Sequence, residues 1–206
     1  PKNQPYLTYR MAHDISVWLT SLYRKEETKL YKIHFLGGEP LMAIDKVCFL
    51  IDRVNMFKPE FTKGHPDGKY VLFTNGDFAT PNVLKRLKKR DVRIMLNPTT
   101  APLEEVEQKI NKIKEHMGGC SLSIVLDECN IERIEDLTKL AIKYHCHMRI
   151  NRLYAGGRDP EYIQKYKEEM HKVFDLLLES EWVMWPNFIM ESTYPTWDKK
   201  SNCHAC

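Results

Sequence analysis

The chain has 206 residues, of which 43% are hydrophobic and 29% charged, with a formal net charge of +3. That content of large apolar side chains excludes a disordered or low-complexity chain, because so much apolar surface must be buried. The chain contains no run of 18 apolar residues, so no membrane-spanning helix is expected. A charge this close to balance excludes a dedicated nucleic-acid binder, which concentrates more positive charge.

The first element is an amphipathic helix whose apolar positions are Ile15, Trp18, Leu19 and Leu22. A β-rich run follows at Tyr31 to Leu36. Val47, Leu50, Ile51 and Val54 then mark one face of a second helix. Next comes an apolar strand at Tyr70 to Phe73. Thr80 before Pro81 starts a helix, with a capping hydroxyl and then a proline at the first helical position. That helix carries the basic run from Lys85 to Arg90, read as its solvated face. A third strand is predicted at Val92 to Leu96. Leu103, Val106, Ile110, Ile113 and Met117 recur at helical steps, and Gly118-Gly119 ends that helix. A strand at Leu122 to Leu126 follows. Ile134, Leu137, Ala141 and Tyr144 form a helix face before a fifth strand at Met148 to Leu153. A long helix from about Glu161 to Leu178 comes last.

Alternation of this kind predicts βαβ units and a parallel sheet, in an α/β fold that is either doubly wound or a closed or partial barrel. In each case ligands bind at the carboxyl ends of the strands. The six cysteines do not read as a disulfide framework. Cys48 and Cys146 are expected to be buried thiols, and a reducing cytoplasm is the expected compartment. Cys203 and Cys206 form the one closely spaced pair.

The residues after the apolar runs carry the chemistry. Leu36-Gly37-Gly38-Glu39-Pro40 follows the first strand. Two glycines let a ligand approach the backbone, a carboxylate can bind an ammonium group, and proline fixes the exit. A tight turn with a glutamate near a helix start explains the same residues equally well. Thr74-Asn75-Gly76 follows the second strand and reads as a turn. Asn97 and the threonines after the third strand are either polar ligand contacts or helix caps. In the fifth strand Arg149 and Asn151 alternate with Met148, Ile150 and Leu153. One face of that strand is therefore polar, which points to a lined cavity.

Gly37-Gly38-Glu39-Pro40 after one strand, Thr74-Asn75-Gly76 after the next, and Tyr154-Ala155-Gly156-Gly157-Arg158 after a late one resemble the radical S-adenosylmethionine (SAM) enzymes of the peptide-modifying, SPASM or twitch maturase type. The resemblance covers roughly residues 28–158. It implies a partial (β/α)6 TIM-like barrel with parallel strands over 1–180, incomplete at its N-terminus. Residues 181–206 would form a bridge and the start of a truncated cysteine-rich extension. It further implies an enzyme in which a [4Fe–4S] cluster reduces bound SAM to give a 5′-deoxyadenosyl radical that modifies a peptide or small protein. Gly37, Gly38 and Glu39 would hold the amino end of SAM, with Pro40 shaping the turn. Asn75, Asn97, Leu126 and Arg149 would complete the cofactor site. Asn97 stands where the family often has Ser-Leu-Asp-Gly. Cys203 and Cys206 would be metal ligands, of an auxiliary iron–sulfur cluster or of zinc. A reductant such as flavodoxin or ferredoxin is the implied partner.

The family's Cys-x3-Cys-x2-Cys loop does not occur among cysteines 48, 120, 129, 146, 203 and 206. The chain is therefore expected to be the interior of such a protein, or a relative that has lost the cluster and serves as a peptide-binding module. A third reading is an unrelated α/β enzyme that cradles phosphate at Gly156-Gly157.

Overall fold

A computed structural model describes residues 7–25, 32–57, 70–98, 100–152 and 160–180. Its elements are α1 (Tyr9–Lys25), β1 (Ile33–Phe35), a 3-10 turn (Pro40–Ala43), α2 (Ile44–Phe57), β2 (Tyr70–Thr74), α3 (Pro81–Lys88), β3 (Val92–Leu96), α4 (Leu103–Met117), β4 (Ser121–Leu126), a second 3-10 turn (Ile131–Arg133), α5 (Ile134–Lys143), β5 (His147–Arg152) and α6 (Pro160–Glu179). The strands form one sheet in the order β1-β2-β3-β4-β5. β1–β2 and β2–β3 pair parallel. Sequential order is the winding of a (β/α) barrel, whereas a doubly wound sheet reverses its order partway. Among the described residues β1 and β5 are the edge strands.

The chain divides into two compact units, Pro1–Ser121 and Leu122–Cys206. In the first, register aligns Phe35 with Leu72 and Ile94, and Thr74 with Leu96. This row faces the helices: the Tyr70 hydroxyl, one register step away, donates to Asn55 Oδ1 on α2 at 2.7 Å. Burial of the ring, with a smaller push from Asp52, raises the Tyr70 phenol well above its ordinary pKa. Leu72 and Leu96 are completely buried, as are Leu84 and Leu87 of α3 and Val106, Ile110 and Ile113 of α4. Each such side chain contributes about 1.5–3 kcal/mol of transfer free energy. His34, Val71, Phe73, Arg93 and Met95 lie on the opposite face, by the two-residue alternation of a strand.

Helix ends follow the sequence. Thr80 accepts from the Val83 N–H and Pro81 opens α3. Gly118 closes α4 at φ 84° and donates to the Lys114 carbonyl. Two arginines of the basic run are not simply solvated. Arg86 pairs with Asp45, and Arg90 makes a two-pronged bond to Asp52, so both fasten α3 to α2.

The apolar face expected for α1 is corrected. Among its described side chains the buried ones are Ala12, Ser16 and Thr20; Ile15 and Leu19 are half-buried, Trp18 is exposed, and the Leu22 side chain is outside the described set. Small side chains let α1 lie close against α2, where Tyr9 meets Phe49 edge-on at 5.3 Å. The buried hydroxyls are satisfied within the helix: Ser16 donates to the His13 carbonyl and Thr20 to that of Ser16.

In the second unit, Met148 Sδ lies against Thr138 Oγ1 of α5, which sets the helix-facing side of β5. His147, Arg149 and Asn151 therefore occupy the other face. α6 packs on α5, and its Met170 and Val173 are buried.

Candidate functional site

The carboxyl ends of β1, β2 and β3 are joined by one hydrogen-bond network. Glu39 is its centre. This residue has extended backbone angles and caps the 3-10 turn opened by Pro40. Its Oε1 accepts from the Leu41 N–H at 2.9 Å and from Thr74 Oγ1 at 2.8 Å. Its Oε2 accepts from the Asn75 N–H at 2.9 Å. A carboxylate offers about four acceptor positions, two per oxygen. Oε1 is saturated, and Oε2 keeps one position for a further donor.

The two glycines before Glu39 differ. Gly37 sits at φ +128°, where a side chain is strained. Gly38 has no such φ, and a Cβ built on it meets nothing within 4 Å. Neither conformation nor packing therefore requires glycine at position 38. Backbone kept bare beside an unsaturated carboxylate oxygen is what close approach of a ligand would need.

The loop after β2 is braced from three sides. Asn75 Nδ2 donates to Asp77 Oδ2, and the Asp77 N–H donates back to Asn75 Oδ1. The side chain of Asn75 is thus engaged in shaping the turn, and its N–H holds Glu39. Gly76 takes φ +83°, and a Cβ there would lie 2.9 Å from Leu96 Cδ1 and 3.2 Å from Lys109 Cδ. Lys109 Nζ bonds both Asp77 Oδ1 and Glu105 Oε1 at 2.6 Å. Burial would lower the pKa of this ammonium, but the two carboxylates more than offset it and the net shift is upward. Asn97 joins through its backbone, its N–H donating to the Thr74 carbonyl at 2.7 Å.

Gly37, Gly38, Glu39, Pro40, Asn75 and Asn97 are therefore brought together. Sequence reasoning assigned Thr74 no role beyond its place in the Thr74-Asn75-Gly76 motif, and Lys109 none. Lys109 carried a readable signal, since it falls on the Val106–Ile110–Ile113 stripe where a cation needs a partner.

In the second unit the Leu126 side chain is buried in the helix-facing core, so any ligand contact it offers is through its backbone. Arg149 is exposed on the polar face of β5, where Asn151 Nδ2 approaches Ser123 Oγ at 3.3 Å. Asn130 closes the turn after β4, accepting from the Asp127 N–H and donating to the Val125 carbonyl. Among the described cysteines, Cys48, Cys120 and Cys146 are buried and Cys129 is exposed. Cys203 and Cys206, like Gly156-Gly157, lie outside the described residues. No three metal-binding side chains gather among the described residues.

No family model matches the chain. It is similar to the mycofactocin maturase MftC of Mycobacterium tuberculosis, in both strain CDC 1551 / Oshkosh and strain ATCC 25618 / H37Rv. Identity is 27% over 147 residues, which is 65% of this chain and 35% of that protein. Its fold matches that of Streptococcus suis SuiB, whose crystal structure holds S-adenosylmethionine. The TM-score is 0.62 at 14% identity, over 89% of this chain and 45% of that one. The chain thus spans about a third of the curated relatives it matches. These findings bear out the resemblance drawn from the strand-end motifs.

Proposed function

We propose that this chain is the S-adenosylmethionine-binding core of a radical SAM enzyme that modifies a peptide or small protein. The observation that carries the reading is the Gly37-Gly38-Glu39 edge of β1. There a bare backbone lies next to a carboxylate whose Oε1 is saturated and whose Oε2 keeps one acceptor position. That arrangement suits an ammonium group with a polar tail running along the loop. Similarity to a maturase and a fold shared with a SAM-bound protein support the same reading.

On this proposal Glu39 takes the methionyl ammonium and the Gly37 and Gly38 backbone receives the neighbouring polar atoms. Pro40 fixes the exit of the loop. Asn75 and Asn97 stand at the adjoining strand ends for hydroxyl or carboxylate contacts. In the second unit, taken by itself, the exposed Arg149 guanidinium suits a carboxylate and the Leu126 backbone suits the edge of a base. Bound together with a reduced [4Fe–4S] cluster, SAM supplies one-electron cleavage chemistry and a carbon radical for hydrogen abstraction. The described residues do not gather the ligands of such a cluster. Cys203 and Cys206 are proposed as ligands of an auxiliary cluster. A flavodoxin- or ferredoxin-like reductant and a cytoplasmic setting complete the proposal. No described helix is long and apolar enough to cross a membrane.

The test is anaerobic iron–sulfide reconstitution of the protein expressed from its complete gene, followed by assay of 5′-deoxyadenosine. Cleavage of SAM that falls in Glu39→Gln supports the enzyme. SAM binding without cleavage favours the peptide-binding module, and neither binding nor cleavage overturns the proposal.

A further inference from the structure

A carboxylate recognises an ammonium group well only if its free lone pair is held in one direction. Glu39 is partly exposed, and its own loop supplies just one of its three hydrogen bonds, from the Leu41 N–H. The other two come from the end of β2, from Thr74 Oγ1 and the Asn75 N–H. The orientation of Glu39 is therefore set from a different strand.

We propose that Thr74 is a positioning residue for Glu39. Its side chain is buried, with the residue 3% exposed. Its hydroxyl accepts from the Gly76 N–H at 2.9 Å while donating to Glu39 Oε1 at 2.8 Å. A hydroxyl has one proton. With an N–H occupying its acceptor side, that proton is directed at Glu39. The Thr74 backbone is itself fixed, its carbonyl accepting from Asn97. Because Thr74 saturates Oε1, the position left for a ligand lies on Oε2. The pairing of β2 with β3 is thus transmitted through one hydroxyl to the carboxylate. Thr74 acts only through Glu39.

This inference rests on the reading of Glu39 as the ammonium contact, and the test separates the two. SAM binding to the protein is measured by titration calorimetry for wild type, Thr74→Val, Thr74→Ser, Thr74→Ala and Glu39→Gln, with thermal midpoints recorded alongside. Removing a group that orients a ligand-binding side chain weakens binding on the order of tenfold or more. Thr74→Val is expected to show that loss, and Thr74→Ser, which keeps the hydroxyl, to restore binding. Thr74→Ala carries the comparison if Thr74→Val does not fold. Wild-type affinity in Thr74→Val together with loss in Glu39→Gln overturns the inference and leaves the reading of Glu39 standing. Equal loss in the Ser and Val variants also overturns it, since only packing would then be at stake. Unchanged binding in Glu39→Gln overturns the reading beneath it.

Discussion

Replacing Gly76 with alanine tests the strand-end network through its tightest point. Gly76 holds φ +83°, and the added Cβ would fall 2.9 Å from Leu96 Cδ1 and 3.2 Å from Lys109 Cδ. Leu96 is completely buried. Left-handed backbone costs a non-glycine residue about 1–2 kcal/mol. Overpacking of a filled site adds about 1–3 kcal/mol. The variant should therefore lose about 2–5 kcal/mol, and with a urea m-value of about 2 kcal/mol/M its midpoint should fall by about 1–2.5 M. Gly38→Ala is the control. It meets nothing within 4 Å and needs no left-handed φ, so its stability should be unchanged or raised by up to about 1 kcal/mol. Its SAM binding should nevertheless weaken. Urea titration followed by circular dichroism measures both variants. A Gly76→Ala midpoint equal to wild type, or a Gly38→Ala midpoint as low as that of Gly76→Ala, would refute the packing argument.

Three further predictions follow from separate contacts. Lys109→Met keeps the apolar stem but removes the ammonium shared by Asp77 and Glu105. Both carboxylates are about half exposed, so screening limits the loss to about 1 kcal/mol at neutral pH, read by chemical denaturation. The folded Lys109 pKa is raised, so its contribution is full below the unfolded value near about 10.4 and fades as pH rises through the folded value. The gap between the two proteins should therefore close only at strongly alkaline pH, and a gap that closes near neutrality would contradict the ion pairs. In a Cys203→Ser, Cys206→Ser background, one thiol, Cys129, should react quickly with a disulfide reagent. Cys48, whose pKa is raised chiefly by burial, should wait for unfolding, as should Cys120 and Cys146, and a second fast thiol would contradict the packing. Thr80→Ala should cost about 1 kcal/mol by thermal denaturation, through loss of the bond from the Val83 N–H at the start of α3; no loss would mean the cap is not made.

Periodicity found most helices because their burial is one-sided, and the central strands stood out as short apolar runs because both of their faces are largely buried. Val92 to Leu96 was legible to the residue, and Gly118 announced its own left-handed conformation. On α1 Trp18 was misplaced, and Ala12, Ser16 and Thr20 were missed as its buried residues. Small polar residues satisfied by their own helix leave no hydrophobic signature. The Gly-Gly-Glu-Pro segment was legible as a ligand edge, but a sequence cannot show which neighbour orients a carboxylate. Thr74 lies 35 positions from Glu39 and looks like an ordinary strand residue. Only the parallel register of β1 beside β2 brings the two together. Leu126 was named for its place at a strand end. Two-residue alternation then turned its side chain into the core and left its backbone for any ligand.

The most direct measurement of the central claim is equilibrium binding of SAM to the reconstituted protein from the complete gene, comparing wild type with Glu39→Gln. The account predicts saturable binding by the wild type and affinity weakened on the order of tenfold or more in the variant, because a hydrogen bond between charged groups contributes about 1.5–3 kcal/mol. No saturable binding by the wild type, or equal affinity in the two proteins, would contradict it.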